Sequence, residues 1–258
     1  MALNSVPVQP MKPTPIVGNR ETFYGVAMAL LIIGVWAISL TIFLSLDLVN
    51  ASGWWRVPIV LWQMFLYTGL FVTAHDAMHG VIAPSHPQLN NWMGTIALAC
   101  YALLPYRKLS RKHWQHHHHP ASDQDPDFHN GKQANFFSWY FHFMLGYWNW
   151  PGLLTLMAIH MALKTWAHIP DLNMLVAWII PSILSSVQLF YFGTFLPHTE
   201  PVGGYTNPHR ATTARRSPFW SFLACYHFGY HEEHHEHPHL PWWRLPEAYA
   251  ARIQATGA

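Results

Sequence analysis

Long apolar segments dominate the pattern of hydrophobic and polar positions along the chain. The first, Thr22–Leu46, has 25 residues without a formal charge, which as a helix would span roughly 37 Å at about 1.5 Å per residue. The segment Val57–Ala74 has 18 uncharged residues. A third segment, Leu172–Pro197, contains Pro181, which predicts a kink. Each segment is long enough to cross a membrane as a helix.

A fourth apolar segment is interrupted. Residues Gln133–Leu163 carry no formal charge, but the pair Pro151-Gly152 predicts a break. We interpret the second half, about Leu153–Trp166, as a short fourth crossing and the first half as interfacial. A shorter apolar stretch, Trp92–Tyr106, is expected to be re-entrant or to lie at the surface. The pattern therefore predicts an all-α integral membrane protein, a bundle of four transmembrane helices.

The basic residues give this bundle an orientation. With four crossings, both termini and the middle loop lie on one side, and that side holds twelve of the 14 Lys and Arg residues. The two short loops on the other side hold only Arg56 and Lys164. By the positive-inside rule we expect both termini and the middle loop to be cytoplasmic.

Composition supports a membrane domain and narrows the class of partner. Only 10% of the residues are charged, whereas soluble domains carry about 25%. The net charge of +2 is too small to indicate a nucleic-acid partner. We expect the proline-rich residues 1–20 to form a disordered arm before a single domain at 21–258. The first apolar segment is too long for a signal peptide and is not expected to be a cleaved one.

Histidines are concentrated in three motifs, HDAMH at 75–79, HWQHH at 113–117 and HEEHH at 231–235. The i,i+4 and i,i+3,i+4 spacings place the imidazoles on one face of a helix. All three motifs fall on the predicted inner side, next to the crossings. Imidazole binds iron, zinc and copper well, and polar side chains at membrane depth are costly without a function. The motifs therefore predict a cytoplasmic cap whose histidines surround two metal ions.

Other residues near these motifs allow two interpretations each. His198 ends the fourth crossing and is equally suited to bind metal or to cap the helix. His118 and His119 precede Pro120, which ends any helix there, and either support a ligand or are solvated. His227 lies one turn before the third motif and is a candidate to hydrogen-bond a ligand. Cys225 is expected to pack in the core rather than to bind metal.

Two other classes of metalloprotein fit part of the pattern. HEEHH also matches the H-E-x-x-H motif of zinc proteases, with Glu232 as the base, but that function leaves the other two motifs unused. A metal transporter would place histidines and carboxylates near the middle of its crossings, where this chain has almost none.

The three histidine motifs together resemble the histidine-box superfamily of membrane di-iron desaturases, hydroxylases and ketolases. Four longer segments narrow the resemblance to bacterial-type β-carotene 4-ketolases: AHDAMHG at 74–80, DPDFH at 125–129, FGTFLPH at 192–198 and HFGYHEEHHEHPHLPWWRLP at 227–246. The similarity extends from about residue 57 to residue 246. FGTFLPH and PWWRLP are more specific than the histidine boxes, which all branches share.

The resemblance implies a substrate and a reaction. Ketolases of this type introduce a keto group at C4 of a β-ionone ring, turning β-carotene into echinenone and canthaxanthin, and some convert zeaxanthin into astaxanthin. Two iron ions, molecular oxygen and an external electron donor such as ferredoxin are implied. So is a mechanism of two hydroxylations of one carbon followed by loss of water. A carotenoid 3-hydroxylase is the nearest alternative, and a fatty-acid desaturase is more distant.

The resemblance also implies which side chains form the site. The expected metal ligands and catalytic residues are His75, His79, His113, His116, His117, His198, His231, His234 and His235. Asp76, Asp125 and Asp127 are expected to orient ligand imidazoles by hydrogen bonds, although a solvated acidic loop is an equal alternative for the last two. Trp242 and Trp243 are expected either to contact the substrate ring or to anchor the chain at the membrane interface.

Overall fold

The computed structural model describes residues 19–129, 131 and 134–256, and the regular elements within them are helices. The α-helices are α1 (Asn19–Ser45), α2 (Arg56–Met78), α3 (Pro87–Ala102), α4 (Tyr106–His118), α5 (Phe136–Gly146), α6 (Trp150–Trp166), α7 (Asp171–His198), α8 (Pro218–Cys225), α9 (His231–Glu236) and α10 (Leu245–Thr256). Short 3-10 helices precede α2 and α10. The prediction of an all-α fold is confirmed for the described part of the chain.

Three of these helices, α1, α2 and α7, are long and apolar enough to cross a membrane. They correspond to the three longest predicted crossings, although α1 ends at Ser45, one residue before the expected Leu46. Helix α6, the predicted short crossing, has 17 residues, or about 26 Å of helix against a hydrocarbon core of about 30 Å. The count of four crossings and their orientation stay predictions.

Some helix boundaries differ from those expected. Helix α1 begins at Asn19, and residues 1–18 of the expected arm lie outside the described residues. The helical conformation is interrupted at residues 147–149. Helix α6 begins directly afterwards, and Pro151 is its second residue. Proline is tolerated in a first turn because its missing N–H would have no helical partner there. The predicted break is therefore present, and α6 begins at Trp150, three residues before the expected Leu153.

Helix α7 runs through both of its prolines. It contains two π turns, Leu175–Ile179 and Tyr191–Phe195, which precede Pro181 and Pro197. A proline removes one backbone N–H and clashes with the carbonyl four residues earlier. A π turn widens the helix at that point and accommodates the ring. The helix thus continues to His198 at its last position.

Polar side chains join the long helices inside the bundle. The Gln63 amide on α2 donates to Ser39 Oγ on α1 at 3.0 Å. Thr68 Oγ1 on α2 and Ser185 Oγ on α7 are 2.9 Å apart. The Asn173 amide on α7 donates to three carbonyl oxygens near the end of α1 at 2.6–3.2 Å, which satisfies groups that lack helical partners. These bonds fix the positions of α2 and α7, two helices that carry histidines of the site.

The turn after α2 is held by Asn90 of α3. Its Oδ1 accepts the N–H groups of Ile82 and Ala83, both at 3.2 Å, and its Nδ2 donates to the Ala77 carbonyl at 2.7 Å. Gly80 has φ of 76°, which a residue with a side chain adopts only with strain. The end of α2, where the first histidine motif lies, is therefore tied firmly to α3.

Candidate metal centre

Nine histidine side chains, eight from four helices and His79 directly after α2, converge at one end of the bundle and form two groups. The five-histidine cluster consists of His75, His79, His113, His117 and His234, and the four-histidine cluster consists of His116, His198, His231 and His235. Within each cluster the candidate ligand nitrogens all lie within 4.8 Å of one another. The structure thus brings together all nine histidines named from the sequence.

Helices α4 and α9 each divide their histidines between the two clusters. On α4 the i,i+4 pair, His113 and His117, belongs to the five-histidine cluster, and His116 belongs to the four-histidine cluster. On α9 the division is reversed: His231 and its i+4 partner belong to the four-histidine cluster, and only His234 belongs to the other. The i,i+3,i+4 spacing lets one helix present side chains to two sites.

The Nε2 atoms of neighbouring imidazoles point at one another across the helices. They are 2.6–3.0 Å apart in the five-histidine cluster and 3.1–3.2 Å apart in the four-histidine cluster. Two adjacent nitrogen ligands about 2.1 Å from one metal ion would be separated by about 3 Å. Converging nitrogens cannot all satisfy one another, because a neutral imidazole has a single N–H. The donor set and its spacing therefore fit one metal ion in each cluster.

Two histidines of the four-histidine cluster are held through their outer nitrogens. His116 Nδ1 donates to the Asp125 carboxylate at 2.9–3.0 Å, and His198 Nδ1 donates to the Arg210 carbonyl at 2.8 Å. A carbonyl oxygen only accepts, so Nδ1 of His198 carries the hydrogen and Nε2 presents a lone pair to the cluster. This tautomer is the one that binds metal through Nε2.

Asp125 and Asp127 have different partners. Besides His116, Asp125 accepts the N–H groups of Ala121 at 2.9 Å and of Asp127 at 2.8 Å. Asp127 was expected to orient a histidine as well, but it accepts the hydroxyl of Tyr147, because Asp125 occupies the outer nitrogen of the nearest imidazole. Burial raises the pKa of Asp127 to about 6.

Asp76 has a weaker contact with the five-histidine cluster. Its carboxylate lies 3.5 Å from Nδ1 of His75, which is long for a hydrogen bond. The same carboxylate accepts the backbone N–H of Trp242 at 3.1 Å. Nδ1 of His75 and Nδ1 of His79 are both buried without a hydrogen-bond partner. Nδ1 of His235 in the four-histidine cluster is likewise buried without a partner, so the clusters differ at His116 and His198, whose outer anchors have no counterpart at His75 and His79.

Burial holds most of the candidate ligand imidazoles outside the long apolar helices in the neutral form. Their pKa values lie well below the usual range, mainly because of burial and further because neighbouring imidazoles repel one another. This holds for His113, His117, His231, His234 and His235. For His116, burial also lowers the pKa, but the hydrogen bond and charge of Asp125 outweigh it and raise the pKa. Neutral imidazole is the form that binds metal.

Trp114 is a neighbour of the site that the sequence interpretation missed. Its indole Nε1 donates to the Met78 carbonyl at 3.0 Å, at the end of α2. Its ring lies 5.0 Å from the ring of His79 and 5.8 Å from that of His118. His118 is itself exposed. The position of this tryptophan inside the second histidine motif was the available signal.

Other residues singled out from the sequence lie outside the two clusters. His227 packs against the rings of Phe222 and Trp242, both 5.9 Å away, and its Nδ1 is buried without a partner. Trp242 is buried in this aromatic group and does not line the cavity described below. Cys225 is buried in the same core, which confirms the expectation that it packs.

Glu232 does not lie in a position suited to a zinc-protease base. Its carboxylate forms an ion pair with Arg252 of α10. The next residue, Glu233, accepts the hydroxyl of Thr213 and is 2.5 Å from Arg252. The acidic side chains of HEEHH therefore attach α9 to its surroundings, while the histidines of the motif face the clusters.

An apolar cavity of about 740 Å³ begins at the clusters. Histidines from both clusters form part of its wall: His75, His113, His116 and His231. The lining then continues along one face of α7, from Thr194 back to Trp178. The sixteen residue steps between Trp178 and Thr194 correspond to about 24 Å of helix. The cavity is therefore long, with the candidate metal centre at one end.

The cavity is open between α6 and α7. Met157 and Met161 of α6 and Ile183 of α7 line it, yet each of these side chains is more than half exposed. Apolar side chains exposed on the flank of a long apolar helix face lipid when that helix crosses a membrane. The opening is thus placed to admit an apolar molecule from the side.

The amino-acid sequence of this chain is similar to those of several known proteins. A sequence profile of the fatty acid desaturase family matches residues 52–164 and 150–257. A zeaxanthin 4-ketolase of Chlamydomonas reinhardtii is 39% identical over 241 residues, covering 88% of this chain and 54% of that protein. A beta-carotene ketolase of Haematococcus lacustris is 43% identical over 202 residues, covering 75% and 61%.

A beta-carotene ketolase of a Paracoccus species is 42% identical over 189 residues, covering 70% of this chain and 74% of that protein. This chain spans only 54% and 61% of the length of the two algal relatives. The bacterial relative is covered over about three quarters of its length. All three similarities include most of the present chain.

Proposed function

Because the chain belongs to the fatty acid desaturase family and, within it, to the carotenoid ketolases, we propose that it introduces a keto group at C4 of the β-ionone ring of a carotenoid. It would convert β-carotene into echinenone and canthaxanthin, and zeaxanthin into astaxanthin. The observation that carries this proposal is the pair of histidine clusters at one end of a long apolar cavity. A rod-shaped apolar substrate suits such a cavity.

Two iron ions are the proposed metals, one held by each cluster. The all-nitrogen donor set and the family both support this choice, since imidazole ligands suit iron. When bound, the iron ions would supply the activation of molecular oxygen for the oxidation of a C–H bond. The electrons would come from an external donor such as ferredoxin.

The overall reaction consists of two oxidations of the same carbon. Each oxidation uses one O₂, two electrons and two protons, inserts one oxygen atom into a C4–H bond and releases one water. The second oxidation gives a geminal diol, which loses water to form the ketone. The carbon therefore passes from a methylene to a carbonyl in two equivalent rounds.

The side chains of this protein would orient the ligand rings and exclude water. Asp125 and the Arg210 carbonyl hold two imidazoles with their lone pairs towards the cluster. The walls of the cavity would place one end of the substrate beside His75, His113 and His116, which line it. A largely apolar lining keeps water away from the carbon that reacts.

A location in a membrane, with both termini and the metal centre on the cytoplasmic side, is also proposed. Three long apolar helices support the membrane location. The excess of Lys and Arg on one predicted side supports the orientation. Arg107 and Arg111 of that set are exposed on α4, the helix that supplies three of the histidines.

Pigment analysis tests the proposed function. The chain is expressed in a bacterial host that already makes β-carotene, with a ferredoxin supplied, and the pigments are separated by chromatography. Echinenone and canthaxanthin are expected, and they should be absent with an empty vector and with His234→Ala. Formation of zeaxanthin instead would show hydroxylation at C3. Unchanged β-carotene, with the protein present in the membrane, would contradict the proposal.

A further inference from the structure

Two polar side chains line the histidine end of the cavity without belonging to either cluster. Asp127 and Tyr147 both form part of the cavity wall, and the Tyr147 hydroxyl donates to the Asp127 carboxylate. A carboxylate oxygen of Asp127 lies within 4.8 Å of an imidazole nitrogen of His116. The pair is therefore next to the place where a substrate carbon would react.

Neighbouring residues hold the backbone of Asp127 and the ring of Tyr147 in place. The backbone of Asp127 donates to Asp125 at 2.8 Å and accepts the indole N–H of Trp139 at 2.8 Å. The Lys112 ammonium lies 4.7 Å from the centre of the Tyr147 ring and donates to the carbonyl of the preceding residue at 2.7 Å. These contacts fix the backbone of Asp127 and the ring of Tyr147 beside the cavity.

The pair still has hydrogen-bonding capacity towards the cavity. A phenol has one donor and two acceptor positions, and an ionised carboxylate has about four acceptor positions. The bond from Tyr147 to Asp127 uses the phenol donor and one carboxylate position. Acceptor positions remain on both residues, so a hydroxyl of a ligand can donate to either. An apolar ring leaves the pair bonded to itself.

We propose that the Tyr147–Asp127 pair binds a hydroxyl group on C3 of the reacting ring, and that Tyr147 determines the preference between hydroxylated and plain rings. This inference rests on the proposed function. C3 is bonded directly to C4, so a C3 hydroxyl lies beside the metal centre whenever C4 faces it. The pair occupies that neighbourhood, and a buried hydroxyl without a partner is costly.

Removal of the Tyr147 hydroxyl tests the inference. With Tyr147→Phe, we expect kcat/KM for ketolation of zeaxanthin to fall roughly ten-fold relative to that for β-carotene, since one hydrogen bond to the substrate is lost. Most of the change should be in KM. Ketolation of β-carotene, which has no hydroxyl, should continue and shows that the variant folds.

Tyr140→Phe is the matched control. It removes the same group from α5, where the hydroxyl is bonded to Ser186 Oγ at 2.6 Å instead of to Asp127. The ratio of the two activities should not change in this variant. Retention of each pigment by the purified protein gives a second readout, in which Tyr147→Phe should lose zeaxanthin selectively.

The outcomes separate the subsite from the proposed function. An equal loss with both substrates would show that Tyr147 only supports the loop at residues 125–127 and would overturn the inference. An unchanged ratio of activities would overturn it as well, while leaving C4 ketolation intact. A wild-type protein that converts neither pigment would overturn the proposed function and, with it, this subsite.

Discussion

The two histidine clusters use the same kind of side chain and share α4 and α9, yet they are held in place in different ways. In the four-histidine cluster, His116 and His198 are fixed through their outer nitrogens by a carboxylate and a carbonyl. In the five-histidine cluster, the outer nitrogens of His75 and His79 have no such partner. A histidine ring in these clusters can thus be oriented by a hydrogen bond to its outer nitrogen or by the rigidity of the helix that carries it.

In the five-histidine cluster the orientation comes from rigid helices. His75 and His79 lie at the end of α2, which Asn90 ties to α3 and the Trp114 indole ties to α4. An i,i+4 pair at the end of a fixed helix already points in one direction. The comparison predicts that the four-histidine cluster is sensitive to loss of its acceptors and that the five-histidine cluster is much less so.

The largest effect should follow from removal of one ligand from either cluster. We expect His116→Ala and His234→Ala both to abolish turnover, because each deletes a nitrogen that no neighbour replaces. Iron measured per chain should fall from two towards one in each variant. His142→Ala, which changes an exposed histidine of α5, should keep both turnover and iron. Full iron in either ligand variant would remove that residue from the ligand set.

An intermediate effect should distinguish the two clusters. Asp125→Asn removes the charge that holds His116, and we expect metal affinity or turnover to fall about 10–100-fold. Asp76→Asn makes the same change beside His75. Metal affinity or turnover should fall only a few-fold in this variant, because the contact of 3.5 Å is long for a hydrogen bond. Metal titration of both purified variants measures the difference. Equal losses would mean that the two clusters are held alike.

The smallest effect should come from Trp114→Phe. This change keeps an aromatic ring beside His79 and removes only the indole N–H bonded to the Met78 carbonyl. We expect the free energy of unfolding to fall by about 0.5–1.5 kcal/mol and turnover to fall only slightly. Trp220→Phe, on an exposed side chain of α8, is the control. A complete loss of iron from Trp114→Phe would show that the end of α2 depends on this one bond.

Much of the helical framework could be predicted because its signals are local. An uncharged segment such as Thr22–Leu46 and an i,i+4 histidine pair each specify a helix and one of its faces. The pair Pro151-Gly152 correctly predicted the break in this segment, but α6 begins at Trp150 and not near Leu153. The Asn149 amide donates to the Leu103 carbonyl at 3.0 Å just before this start, and no neighbouring residue in the sequence signals that contact.

The division of the histidines into clusters could not be predicted. Spacing places His113, His116 and His117 on one face of α4, but the packing of α4 against α2 and α9 decides which of them belongs to which site. The anchor of His198 is the carbonyl of Arg210, a backbone group that every residue possesses. Asp127 pairs with Tyr147, twenty positions away along the chain, and no spacing rule connects them.

The sideways opening of the cavity between α6 and α7 has a consequence for kinetics. On the proposed function, a carotenoid that arrives through it would be dissolved in the bilayer. The concentration that governs saturation would then be its mole fraction among the lipids, not its amount per volume of water. Adding inert phospholipid at constant enzyme and pigment should therefore slow turnover by surface dilution. Adding buffer to the same vesicles should leave the rate per enzyme unchanged.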